Sequence, residues 1–414
     1  MTRLVGARAR PSAMRDTFAS PLYRGATIAL FLSGLGFSGA APQIALFLVN
    51  DLHVSLSTAG LYYLTNLTAP VVGYLVGARS DRTGNRLGLF RLCAVMGFLG
   101  WLAIAFSTQA WMPFVISAVV LAFAGAASSQ LFAAIHDDLQ ANASPVADGV
   151  TSIVRMALTA GWIVGPVVGA FLASQFGPRT MLVATAVFTL AQIVPLGFIR
   201  SPAREHQSPT TLDTGDERSG QIVHTRRRHV LLPLLTFTGL YVLVYAGEPI
   251  KYAYLPIYMH DDLGLPPVTS GAVIGIQPLI ELILMPVAVL VARRIGIMHL
   301  MVLGAAFGVA ANLCFALTGS AAGMFTGQIL MGGVWGIFAG LGIIVAQRLL
   351  PGAIATASAI FMSSTAIASA IGGLTGGLGV GVLGLPHVFL LPAIYALLAS
   401  VGIAIMSRSR HAVM

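Results

Sequence analysis

Long apolar runs separated by short polar joints dominate this chain. Windows of about 20 mostly uncharged residues recur from residue 22 to residue 406, and a helix of that length crosses the ~30 Å hydrocarbon core of a bilayer. Read against glycine, proline and polar breaks, the runs predict helices over 22–50, 55–78, 87–107, 111–136, 147–175 and 178–199. A second set of six follows at 230–260, 269–292, 298–318, 322–348, 352–381 and 386–406. Between the sets, residues 201–228 are rich in Pro, Ser, Thr and charge and almost lack large apolar side chains, which predicts a flexible linker. The predicted organisation is a tail 1–21, a six-helix unit 22–200, the linker, a second unit 229–406 and a tail 407–414.

Composition turns this pattern into a membrane protein. With 57% hydrophobic residues and only 14 acids and 23 bases in 414 residues, the chain cannot cover a water-soluble surface of its own size. The net charge of +9 must then be read by position, because bases in membrane proteins gather in cytoplasmic loops and do not here imply nucleic acid. With both termini cytoplasmic, 20 of the 23 bases fall on that side, Arg179 alone falls outside, and Arg155 and Lys251 fall within spans. A multi-pass inner or plasma membrane protein is expected. The arginine-rich residues 1–21 lack a compact apolar core and a cleavage site, so no removable signal peptide is expected. Cys93 and Cys314 lie in separate apolar helices, which argues against a disulfide framework.

The two halves carry a repeat. A shift of 212 positions brings Arg82 onto Arg294, Gly84 onto Gly296, and Gly161, Gly165 and Gly169 onto Gly373, Gly377 and Gly381. Duplicated six-helix halves are how many transporters form two sides that rock about a central site.

Charge is concentrated in GARSDRTGNR, residues 77–86, between the second and third predicted helices. Its Gly77, Asp81, Arg82, Gly84 and Arg86 form G-x-x-x-D-R-x-G-x-R, which resembles the loop signature of the major facilitator superfamily. That resemblance implies twelve transmembrane helices in two pseudo-symmetric six-helix bundles. Glycines here allow a tight helix end, and Asp81 could act as a conformational latch; the plainer reading is a basic anchor holding the loop inside. Arg293 stands where a second-half counterpart of Asp81 would fall. GWIVGPVVG (161–169) resembles the fifth-helix motif of antiporters in the superfamily through Gly161, Gly165, Pro166 and Gly169, although small residues every four positions also serve ordinary helix packing. LFAAIHDDL (131–139), YLPIYMHDDLGLPP (254–267) and GLGIIVAQRLLPG (340–352) resemble stretches of bacterial sugar efflux transporters.

Ionisable groups inside apolar spans cost roughly 2.5–3.5 kcal/mol each on insertion scales, so Arg155, Glu248, Lys251 and Glu281 need partners or a purpose. Lys251, the only lysine, stands three residues after Glu248, a spacing that allows an internal pair. Tyr241, Tyr245, Glu248 and Tyr252 recur at four, three and four, forming a polar aromatic stripe suited to a sugar or an amphipathic drug. Glu281 follows Gln277 by one turn with no base in helical reach. It could carry a proton, bond substrate, or pair with Lys251 or Arg155 from another helix; Glu248 is a second proton-coupling candidate. Arg155 could snorkel to water, or bond Asp137, Asp138 or a substrate. Asn66, Gln130, Trp162, Asn312, Gln328 and Trp335 are further candidate cavity residues.

No metal-ligand spacing, phosphate loop or cofactor motif stands out, so neither cofactor nor metal is expected and ATP is not expected to drive the protein. The sequence therefore predicts a monomeric secondary transporter, not an enzyme, with a small molecule, protons and the lipid bilayer as its partners. Export of a sugar or related polar molecule against proton entry leads. A proton-coupled multidrug antiporter is the first alternative, and a non-transporting receptor or embedded enzyme the second.

Overall fold

The computed structural model describes residues 13–142, 146–197, 199 and 223–408, and helices are the only regular elements among them. Most of the predicted linker (201–222) and the tail segments 1–12 and 409–414 lie outside the described residues, with Arg3, Arg8, Arg10, Arg200, Arg204, Arg218 and Arg410.

After a short helix Ala13–Ala19, eleven segments are long and apolar enough to cross a membrane. They are α1 (Pro21–Asp51), α3 (Arg86–Ala105), α4 (Met112–Ala141), α5 (Ala147–Phe176), α6 (Pro178–Leu196) and α7 (Leu231–Asp262), followed by α8 (Pro267–Ile295), α9 (Ile297–Leu317), α10 (Ala321–Leu349), α11 (Thr356–Leu383) and α12 (His387–Arg408). The twelfth predicted span, α2 (56–83), is helical but not uniform: a tight 3₁₀ stretch, Tyr62–Thr68, separates Leu56–Leu61 from Ala69–Thr83. Thr65 Oγ1 and Thr68 Oγ1 donate to the carbonyls of Tyr62 and Thr65 at 2.7 and 2.9 Å. Pro70 supplies no N–H to Asn66, whose carbonyl accepts instead from Ala69.

Local chemistry sets the ends. Side chains of Ser55, Asn85 and Ser320 accept from the backbone N–H three residues on, at 3.2, 3.0 and 3.2 Å, and so cap α2, α3 and α10. Gly84 (φ 65°) and Gly296 (φ 87°) end α2 and α8 in backbone that disfavours other residues. The two form one of the pairs matched by the repeat. A further correspondence emerges in α1 and α7, which both finish in one wide turn. Leu52 N–H donates to Phe47 and Val54 to Leu48 in the first; Leu263 donates to Tyr258 and Leu265 to Met259, 211 positions later, in the second.

The buried apolar clusters draw their members either from 22–196 or from 234–406. Within the N-terminal six helices, α1 and α5 approach backbone to backbone, with Gly161, Gly165 and Gly169 against Phe31, Leu35 and Gly39. Between the two sets, α5 meets α8 where Gly271 and Gly275 lie on Pro166, Val167 and Ile163, and α2 meets α11 where Gly60 faces Gly373 and Gly377. Both seams lie toward the end carrying the 52–55 and 263–266 turns. The halves are therefore sealed at that end, opposite the 84–85 loop.

Candidate functional site

The chain direction of α7 falters at Ala246, between Val223–Tyr245 and Gly247–Ile257. Pro249 cannot donate to the carbonyl four residues back, and α11 presses in here, since a Cβ on Gly372 would stand 2.1 Å from the Ala246 carbonyl oxygen. The interruption sets Glu248 and Lys251 on the inner face of the C-terminal bundle. Lys251 Nζ donates to both Glu248 oxygens, at 2.8 and 2.7 Å, and to Gln277 Oε1 of α8. Trp335 Nε1 of α10 donates to Glu248 Oε1 at 2.7 Å. The ammonium has all three protons used and lies 4.6 Å from the centroid of the Tyr252 ring. Lys251 is 0% and Glu248 7% exposed; a charge pair this dry requires such complete hydrogen bonding.

The expected i,i+3 pair is thus present, and Gln277, Trp335 and Tyr252 join it. Tyr245 packs edge-on to Trp335, with centroids 5.0 Å apart, and Tyr241 packs on Phe361 at 4.5 Å. One turn from Gln277, half-buried Glu281 has no hydrogen bond or ion pair among the described residues. It lies within electrostatic reach of Lys251, Glu248 and, from α5, Arg155. Arg155 is exposed and does not bond Asp137 or Asp138; those carboxylates accept instead from Arg86 Nε (3.1 Å) and the Tyr23 hydroxyl (2.5 Å).

Other candidates fall elsewhere. Asn66 Nδ2 donates to Ser369 Oγ at 2.8 Å, and Ser369 donates to the Tyr63 carbonyl at 3.3 Å, so Asn66 ties α2 to α11 at the seam. Gln130 and Gln328 are buried in their own bundles; Gln130 Oε1 and both polar side-chain atoms of Gln328 have no partner among the described residues. Asn312 donates back to Gly308 within α9 at 2.8 Å.

Of the predicted loop 77–86 only Gly84 and Asn85 lie outside helix, because Ala69–Thr83 runs on through Asp81 and Arg82; buried Arg86, the first residue of α3, bridges Asp81 (2.8 Å), Ser80 Oγ (2.9 Å) and, on α4, Asp137. Gly84 makes the turn as expected, whereas Gly77 sits inside helix Ala69–Thr83 with open space where a Cβ would be. Asp137 had no sequence signal as the partner of Arg86, because the two stand on different helices 51 positions apart. In the α5 motif the glycines serve contact with α1, while Pro166 turns its carbonyl toward Gly271 of α8. No group of three or more His, Cys, Asp or Glu that could hold a metal occurs among the described residues.

Two six-helix bundles sealed at one end, with buried charge held between membrane helices, are the architecture of a secondary transporter. The family model of the Major Facilitator Superfamily matches residues 26–373, and the chain belongs to that family. It is a multi-pass membrane transporter. It is 27% identical over 364 residues to sugar efflux transporter A of Dickeya chrysanthemi, covering 84% of this chain and 86% of the relative. A shorter match, 26% identical over 56% of this chain and 57% of the relative, is to multidrug resistance protein MdtG of Proteus mirabilis. The crystal structure of nucleoside transporter NupG superposes with a TM-score of 0.78 at 17% identity, covering 94% of this chain and all of that one, a likeness of fold.

Proposed function

We propose that this transporter exports a sugar or a related polar small molecule by alternating access, as a monomer, in exchange for protons. Support for the sugar comes from the sugar efflux relative, which aligns over most of the chain. Support for proton exchange comes from one observation, the unpaired Glu281 beside a charge-satisfied cluster. Lys251 is already neutralised by Glu248, so Glu281 is the acid free to take up and release a proton as the cavity changes side. Glu248, whose release from Lys251 would expose a second carboxylate, is the secondary carrier. The loop bases favour cytoplasmic termini, and with that orientation the end where the halves meet faces outward.

In proteoliposomes with an imposed pH gradient, Glu281→Gln is expected to abolish gradient-driven accumulation of labelled sugar while sugar-for-sugar counterflow continues. Undiminished gradient-driven transport would remove Glu281 as the carrier. The MdtG match supports a second reading, export of lipophilic drugs. Inhibition of labelled-sugar flux by tetraphenylphosphonium at micromolar concentration would favour that reading, and indifference to it the first.

A further inference from the structure

A cavity of about 340 Å³ lies within the N-terminal bundle, separate from the Glu248–Lys251 cluster. All its lining comes from α1 to α6, and the lining contains no Asp, Glu, Lys, Arg or His. Its polar members are hydroxyls and amides, chief among them Ser33, Tyr63, Asn66, Ser128 and Gln192. Two buried polar atoms among them have no hydrogen-bond partner among the described residues: the Tyr63 hydroxyl oxygen, and Oε1 of Gln192, a residue 2% exposed whose Nε2 is committed to the Thr189 carbonyl at 2.7 Å. Ser33 and Ser128 have no hydrogen-bond partner among the described residues. The apolar wall is aromatic. Trp101 and Trp162 line it, and Phe37 lies against Trp162 with ring centroids 5.5 Å apart.

Unpaired buried donors and acceptors carry a desolvation cost that only a hydrogen-bonding occupant removes. An ionic occupant would find no counter-charge on these walls, and burying it unpaired would be costly. A lipophilic one would leave Tyr63 and Gln192 unsatisfied. What fits is a neutral ring with hydroxyls on its rim and C–H groups on its faces, because rim groups bond the amide and hydroxyls while the faces lie on indole and phenyl rings. On the reading that the protein moves sugars, we infer that this N-terminal cavity is the subsite for a neutral sugar ring, and that the charged C-terminal cluster does not hold the ring.

The assignment carries a mechanical consequence. Every wall belongs to one half, so rocking of the halves leaves the subsite intact and the sugar travels with the N-terminal bundle. Tyr63, within electrostatic reach of Glu248, stands where that bundle faces the charged cluster.

The test uses the full-length protein in detergent with glucose, lactose and sucrose as ligands and calorimetry as the readout. Gln192→Leu and Tyr63→Phe are each expected to weaken binding at least tenfold, with Trp111→Phe, on the exposed surface, as the unaltered control. In variants keeping a single tryptophan, sugar should change the emission of Trp162 more than that of Trp335. If Gln192→Leu lowers the melting temperature, Ser128→Ala takes its place, since it removes a hydroxyl without adding bulk. Binding of wild-type strength in the cavity variants overturns the subsite and leaves sugar transport standing. Failure of wild type to bind any of the three sugars removes the sugar reading, and the subsite falls with it.

Discussion

Lys251 shows how far one residue can be read alone. Its spacing from Glu248 predicts the ion pair, because side chains three apart share a helix face, and the pair is there at 2.7 Å. Gln277 and Trp335 stand out in the sequence only as isolated polar residues in apolar helices, and nothing local states that they converge on the same ion pair, Gln277 on the Lys251 ammonium and Trp335 on the Glu248 carboxylate. The cost of the arrangement sits with whichever charge loses its partner. Lys251→Met strands Glu248 with Trp335 alone and is expected to destabilise the protein by about 3–5 kcal/mol, read as a large fall in melting temperature. The double variant Glu248→Gln with Lys251→Met leaves no charge stranded, so it should melt closer to wild type than the single variant. Arg86 is the converse case. Its tie to Asp81 is local and visible within the loop, but its tie to Asp137 depends on how α3 and α4 lie together.

The elements divide by what their glycines touch. A Cβ at Gly169 would stand 2.4 Å from the Gly39 carbonyl oxygen, whereas at Gly77 it would meet nothing within 4 Å. Gly169→Ala should therefore force α1 and α5 apart, costing about 1–3 kcal/mol as overpacking, while Gly77→Ala should hold or raise the melting temperature by removing a flexible residue from a helix interior. Comparison of the two variants by thermal unfolding in detergent checks both. Hydrophobic runs are sufficient to find the helices, because a backbone inside a bilayer must bond to itself. They do not reveal irregularity within a helix. The tight stretch Tyr62–Thr68 follows from two threonines bonding carbonyls three residues back and from Pro70, a pattern of side-chain chemistry to which apolarity is blind.

For the whole molecule the decisive fact is asymmetry between the ends. Ser57 of α2 and Gly381 of α11 meet at the sealed end, where a Cβ on Gly381 would lie 3.0 Å from Ser57 Oγ. With Cys93 and Cys314 replaced by serine, Ser57→Cys with Gly381→Cys is expected to cross-link under mild oxidant and halt flux, and reductant should restore it; continued flux by fully cross-linked protein would show that this seam never opens. The duplication was legible at a shift of 212 through scattered glycines and an arginine, but its best evidence lies in the bonding that closes α1 and α7. A widened helical turn holds one more residue than the regular helix needs, and here it recurs with the same pair of i→i+5 and i→i+6 bonds at both places. That spare residue consequently gives both halves the same ending: α1 and α7 each close on one wide turn, 211 positions apart, so the likeness of the two bundles extends to the irregularities of their helices.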